Sequence, residues 1–250
     1  MSFRNNLKSG PIYRSLKFFY FYSLCLVDFF KFRNLDKQRR FGLSWFDRYP
    51  VLYDKTKKTG FDRHYVYHTS WAARALKEIN PSLHVDISSS LYFAGIVSAF
   101  VPMEFYDYRP ADIYLDNLES KQGDLMHLPF ADNSVQSLSC MHVVEHIGLG
   151  RYGDPLDPEG DMKAIRELKR VLAPNGSLLF VVPIGGMARI QFNAHRIYTY
   201  QQICDYFSDL ELKEFALIPE SGSRGGLIRN ADPKLANEER YGCGCFWFIK

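Results

Sequence analysis

Asp86, Asp107 and Asp124 recur through the middle of the chain, each beside a short apolar run. A carboxylate accepts two hydrogen bonds at once, so one at the end of a strand can hold the paired hydroxyls of a ribose. Asp107 follows Asp86 by twenty-one residues, the interval at which nucleoside-binding sheets place such a group. After Asp86 comes Ser88-Ser89-Ser90. Small residues there let a ligand approach the backbone and the free N–H groups of a following helix. GDLMHLPF sets Asp124 before a loop, where its carboxylate could accept from an adenine amino group. Aspartate is also common at turns and caps, so each carboxylate alone has a structural reading, and the ordered set carries the weight.

A second concentration of titratable groups comprises His142, Glu145 and His146, then Arg151, Tyr152 and Asp154, and later Asn193, His195 and Arg196. A neutral imidazole can remove a proton from a substrate hydroxyl near neutral pH. The same residues have a structural reading as loop caps, and the aspartates of GDPLDPEGD suit the start of the helix near Met162. His142-Val-Val-Glu145-His146 also has the H-x-x-E-H spacing of a zinc peptidase helix. The adjoining apparent strand, with Gly148 and Gly150 close behind, argues against a long helix there. Cys243-x-Cys245 is not a tetrahedral finger pattern, and it fits a terminal strand, CGCFWFI. No metal is expected.

Elements to position these groups follow from the apolar pattern. A helix fits Tyr65 to Ile79, stopped by Asn80-Pro81. Leu83 to Ile87 reads as a buried strand, Leu91 to Phe100 as a helix, PMEFYD as a second strand and Ile113 to Leu118 as a short helix. Val135 to Met141 is a further strand. Met162, Ile165, Leu168, Val171 and Leu172 share one face of a helix closed by Pro174-Asn175-Gly176, and Ser177 to Val182 is a continuous apolar strand. Strands alternating with helices predict an α/β fold, with a doubly wound, mostly parallel sheet. Its chemistry belongs beyond the strands' carboxyl ends, after Ile87, Tyr106, Met141 and Val182.

Composition narrows the class. The 250 residues are 46% hydrophobic and 24% charged, which excludes a largely disordered chain. A net charge of +3 gives no electrostatic reason to expect a nucleic acid. Five scattered cysteines suit reduced thiols in a cytoplasmic setting rather than a disulfide framework. Met1 to Arg40 holds nine basic and two acidic residues around the aromatic run FFYFYSLCLV, a run of ten where a bilayer span needs about twenty. It forms a basic, aromatic N-terminal extension (1–40) ahead of the main domain (41–250). Two readings stay open for it: a helix that caps the main domain, or peripheral contact with the inner face of a membrane. RYPVLYDKTKKTG, between Phe41 and Gly60, suits a linker or lid.

Gly123 to Pro183, with GDLMHLPFADNSVQSLSCMHVVEH and RELKRVLAPNGSLLFVVP, resembles the second half of the class I S-adenosylmethionine-dependent methyltransferases. The HYVYHTSWAAR, HIGLGRYGDPLDPEGD and FNAHRIY blocks resemble, more narrowly, an uncharacterised bacterial family related to them. The resemblance implies a Rossmann-like methyltransferase fold with S-adenosylmethionine as cofactor. Asp86, Ser88 and Ser90 would face its methionine part, Asp107 its ribose, and Asp124 with Leu125 its adenine. His142, Glu145, His146 and His195 become the catalytic candidates, and Arg151, Tyr152, Asp154, Asn193 and Arg196 the acceptor-site candidates. The family's first loop is an acid followed by G-x-G-x-G, whereas here it is D-I-S-S-S-L-Y-F, with Tyr92 and Phe93 where a glycine would leave room.

The expected activity is methyl transfer to an oxygen or nitrogen of a small molecule or glycan, with a sugar, sugar nucleotide or lipid-linked glycan as candidate acceptors. Arg151, Arg189 and Arg196 would suit a phosphorylated one. Two alternatives are a non-catalytic protein of the same fold with a degenerate cofactor loop, and a zinc hydrolase using His142, Glu145 and His146.

Overall fold

Leu178, Phe180 and Val182 face one side of a strand and Leu179 and Val181 the other, and all are buried. Only a strand covered on both faces has that pattern, and it lies inside the main sheet of the computed structural model, which describes residues 10–250. The chain divides into two compact units, Met1–Gly60 and Phe61–Lys250.

The first unit is built on helix α1 (Pro11–Leu35), opened by a proline at a position where its missing N–H costs nothing. Phe29 meets Trp45 edge-on at 5.1 Å and Phe21 meets Tyr53 at 5.5 Å, which folds the following segment back on the helix. Phe18, Phe19, Phe30 and Phe32 stay exposed. Among the described residues, no helix is long and apolar enough to cross a membrane.

The second unit runs α2 (Arg63–Ile79), β1 (His84–Ile87), α3 (Leu91–Val97), β2 (Met103–Asp107), β3 (Leu118–Gln122), β4 (Val135–Met141), α4 (Gly160–Val171), β5 (Leu172–Ile184), β6 (Arg189–Gln191), β7 (His195–Ile197), α5 (Tyr200–Tyr206), β8 (Glu211–Ile218), α6 (Pro233–Asn237) and β9 (Gly242–Ile249). Seven strands form one sheet in the order β3-β2-β1-β4-β5-β9-β8. β1 to β5 pair in parallel, while β9 is antiparallel to both β5 and β8. This is the doubly wound α/β sheet expected from the alternation, and the order reverses at β1 and β4, where such sheets open a crevice.

One core lies on each face. Val85, Leu138, Phe180, Phe246 and the α4 residues Ile165 and Leu168 fill the first. Trp71 and Leu76 of α2, Phe93 of α3, Met141 and Trp247 fill the second. Trp71 also donates its indole N–H to Glu214 at 3.0 Å, and Arg229 donates to the same carboxylate oxygen at 2.8 Å.

Two elements differ from expectation. Ile113–Leu118 is not a short helix: Asn117 takes a left-handed φ of 59°, which a helix cannot continue through. Leu118 instead opens β3, paired with β2 from Met103↔Leu118 to Asp107↔Gln122. Pro174-Asn175-Gly176 does not close a helix either. α4 ends at Val171, and the triplet lies within β5, where the pairing with β4 shifts register.

Candidate active site

Asp86 is wholly buried at the end of β1. Its carboxylate accepts from the Ser139 hydroxyl and, at 3.1 Å, from the Ser89 N–H. Since Ser139 gives its proton to Asp86, His84 Nε2 donates to Ser139 at 2.8 Å and Ser137 donates to His84 Nδ1 at 2.7 Å. Burial pushes the Asp86 carboxyl up to about 6 and the His84 imidazole down to about 3. The chain Asp86–Ser139–His84–Ser137 thus braces the strand ends from beneath.

The loop that follows does the work of the missing glycines in its own way. Ser88 adopts a φ of 53° and donates its hydroxyl to the Tyr106 carbonyl at 3.0 Å, a local bond that offsets the left-handed strain. Ser89 Oγ accepts from the Met141 N–H at 3.0 Å, tying the loop to β4. Tyr92 is 87% exposed and Phe93 packs in the core, so neither ring closes the space above the loop.

A cleft of about 660 Å³ opens there, lined by Ser89, Ser90, Tyr92, Asp107, Arg109 and, from α2, Tyr65, Val66 and Thr69 among others. Its walls are mostly apolar, and Asp107 supplies the carboxylate. Asp124 is not part of it. Asp124 accepts from the Met126 N–H at 2.9 Å and contacts His127 at 3.1 Å, so its carboxylate closes its own turn, and Leu125 is buried in the core. Asp86 and Ser88 likewise shape the loop from below without lining the cleft.

A second cleft, of about 770 Å³, is polar. His142, Glu145, His146, Arg151, Tyr152, Asn193 and His195 line it, as expected, together with Asp62, His64, Tyr65, Glu220 and Tyr241. Tyr65 lines both clefts. Arg109 of the first cleft and Arg151 of the second lie over the Tyr152 ring at 5.2 and 5.0 Å. Asp154 is drawn away. It accepts from the Gly148, Gly150 and Tyr152 N–H groups at 2.7, 3.3 and 3.2 Å and so closes the GLGRYGD loop. Arg196 is buried, donates to the Ile147 carbonyl at 2.7 Å and pairs with Asp161 at 3.5 Å. Arg189 is held by the Met187 and Arg240 carbonyls. Of the three arginines considered for a phosphate, Arg151 alone lines the cleft.

Electrostatically the polar cleft gathers four imidazoles beside the buried carboxyl of Glu145, with Asp62, Glu220 and Arg151 also on its walls. Glu145 is buried, and its Oε1 lies 2.8 Å from His142 Nδ1 and 3.7 Å from His146 Nε2. Desolvation pushes Glu145 up to about 7 and His142 and His64 down to about 4. His146 and His195 are lowered for the same reason. His142 has a φ of 59°, an uncommon conformation of the kind that collects at functional sites. Val144–His146 is a single turn of 3₁₀-helix, so the H-x-x-E-H residues do not form the regular helix of a zinc peptidase.

Sequence reasoning missed His64, Tyr65 and Tyr241. His64 and Tyr65 stand at the start of α2 in HYVYH, whose aromatic and imidazole density was the available signal. Tyr241 precedes β9 and reaches the cleft only through the sheet order.

A family described as Caenorhabditis protein of unknown function, DUF268, matches residues 123–215. No curated protein matches the sequence. Among solved structures, the chain resembles the Burkholderia thailandensis 1,6-didemethyltoxoflavin-N1-methyltransferase with bound S-adenosylhomocysteine, at TM-score 0.54 and 9% identity over 73% of this chain and 78% of that one. It also resembles the N-methyltransferase NodS from Bradyrhizobium japonicum in complex with S-adenosylhomocysteine, at TM-score 0.51 and 14% identity over 73% of this chain and 85% of that one. At these identities the likeness is one of architecture, and the second unit has the Rossmann-like fold of the class I methyltransferases.

Proposed function

We propose that the protein transfers a methyl group from S-adenosylmethionine to an oxygen or nitrogen of a polar acceptor. The observation that carries this reading is a pair of clefts that share Tyr65 as a wall residue, one mostly apolar with a carboxylate at the end of β2, the other more polar and rich in imidazoles. Three features of the first cleft support an adenosyl ligand: Ser88 holds a left-handed backbone turn of the kind glycine favours, Tyr92 is exposed, and Asp107 brings a carboxylate to the cleft for the ribose. When bound, the cofactor supplies an electrophilic methyl on a sulfonium, whose electron pair stays on sulfur as the bond to the acceptor forms.

The protein's own residues then orient the acceptor and take its proton. His146 donates Nδ1–H to the Ala194 carbonyl at 2.6 Å, which leaves the Nε2 lone pair free. A proton accepted there can pass to Glu145, whose pKa of about 7 suits a group that is partly ionised at neutral pH. Tyr152 and Tyr241 offer ring faces and Asn193 an amide, a set that favours a hydroxyl-bearing acceptor such as a sugar. Positioning contributes most, because sulfonium alkylation needs alignment more than strong acid–base help. The exposed phenylalanines and basic residues of α1 support peripheral contact of the first unit with an anionic membrane at its cytoplasmic face.

Isothermal titration of the full chain with S-adenosylhomocysteine tests the reading. Saturable heat is expected. No heat at millimolar ligand would remove the transferase and favour a non-catalytic protein of this fold.

A further inference from the structure

Three ligand-type atoms converge beneath the polar cleft. A ring nitrogen of His64, a ring nitrogen of His142 and the thiol of Cys243 all lie within 4.8 Å of one another. They come from three places in the fold: the first turn of α2, the residue after β4 and the second residue of β9. We propose that His64, His142 and Cys243 bind a zinc ion whose fourth position faces the polar cleft.

The chemistry of the set points to that metal. Two imidazoles and one thiolate suit a borderline-soft cation and not magnesium or calcium, which take oxygen ligands. Tetrahedral zinc at ordinary bond lengths holds its ligand atoms about 3.5 Å apart. His142 Nε2 and Cys243 Sγ already stand 3.4 Å apart. His142 Nδ1 lies 2.8 Å from Glu145 Oε1, the carboxylate–histidine arrangement that orients a metal-bound imidazole. His64 closes the site by turning out of its stack on His142, where the rings lie 5.4 Å apart and 10° from parallel. Its ring forms part of the cleft wall and also stacks on Tyr241 at 5.0 Å, so the turn displaces it from both stacks.

A second observation points the same way. His68 is buried, spends its Nδ1 on the His64 carbonyl at 2.6 Å, and stands edge-on to His142 at 5.0 Å. Among the described residues, His68 Nε2 has no hydrogen-bond partner, and neither has Glu145 Oε2. Unpaired polar atoms in such density next to three convergent ligand atoms are costly unless a charge sits among them.

Metal binding stands on these residues alone. The use of the fourth position, to hold and acidify the acceptor heteroatom, rests on the methyltransferase reading.

The test is metal analysis of the purified full chain after dialysis with zinc, together with cobalt substitution. Stoichiometric zinc and a near-ultraviolet thiolate-to-cobalt band are expected. Cys243→Ser should abolish the band, His64→Ala should weaken zinc binding, and Glu145→Gln should weaken it by about 10-fold. Cys204→Ser, in α5, should change neither reading. If Cys243→Ser fails to fold, His64→Ala on the cleft wall reads the same site. Absence of bound metal, or a cobalt band that survives Cys243→Ser, would overturn the proposal. Retained zinc without S-adenosylhomocysteine binding would sink the transferase and leave the metal site standing.

Discussion

The Ser88 hydroxyl donates to the Tyr106 carbonyl at 3.0 Å while the Ser88 backbone holds a φ of 53°. The two facts oppose each other energetically: left-handed backbone costs a residue with a Cβ about 1–2 kcal/mol, and one hydrogen bond returns about 1 kcal/mol. Ser88→Gly should therefore shift stability by less than about 1 kcal/mol and leave cofactor binding intact. Ser88→Val, branched at Cβ and without the hydroxyl, should lose about 2 kcal/mol or more in urea denaturation.

Asp107 carries the ribose assignment. Its Oδ1 accepts from the Arg109 N–H at 2.8 Å, which fixes the carboxylate at the cleft. Asp107→Ala should weaken S-adenosylhomocysteine about 10- to 100-fold, the loss expected for charge-assisted hydrogen bonds, with the fold retained by circular dichroism. Unchanged affinity would remove that role.

Asp86 and His84 make opposite contributions to stability as pH changes. Asp86 titrates at about 6 in the folded chain against 3.8 unperturbed, so the folded state holds the extra proton and stability falls as pH rises between those values. His84 titrates at about 3 against 6.5, so the unfolded state holds its extra proton and stability rises with pH across that window. Between about pH 4 and 6 the pair nearly cancels. Asp86→Asn removes one arm. Relative to the parent, the variant should gain about 3 kcal/mol over that interval, read from chemical denaturation at several pH values. A difference that does not change with pH would contradict the shifted carboxyl.

Glu214 links α2 to the edge strand by accepting from Trp71 at 3.0 Å and Arg229 at 2.8 Å. Glu214→Ala leaves the buried indole N–H without a partner and should cost about 2 kcal/mol in urea denaturation, whereas Glu214→Gln, which keeps an acceptor, should cost less.

The first unit gives a separable prediction. The intact chain should sediment with anionic vesicles, release at high salt, and ignore neutral ones. Failure to sediment at low salt would confine α1 to a role within the protein.

Legibility in the sequence followed the range of the interactions. The strands His84–Ile87, Met103–Asp107 and Val135–Met141 stood out as short, mostly buried segments between turn signals, although His84, Asp86, Ser137 and Ser139 are polar residues buried within them. Asp107 was legible because a strand end is a local feature. Asp124 and Asp107 each accept from the N–H two residues on, and nothing in their letters tells that Asp107 alone of the two lines the cleft. Asp154 was lost to its loop in the same way. Tyr241 and Cys243 were beyond reach, since their approach to the polar cleft depends on β9 entering between β5 and β8.

That insertion has a consequence for biosynthesis. The strand bearing Cys243 is translated after every other strand of the sheet, yet it occupies an interior slot. Until β9 has been synthesised, β5 and β8 have no strand between them, and His142 lacks Cys243 as its neighbour. The β1-to-β5 half can pair early, but the surroundings of the polar cleft are completed only when β9 enters its slot.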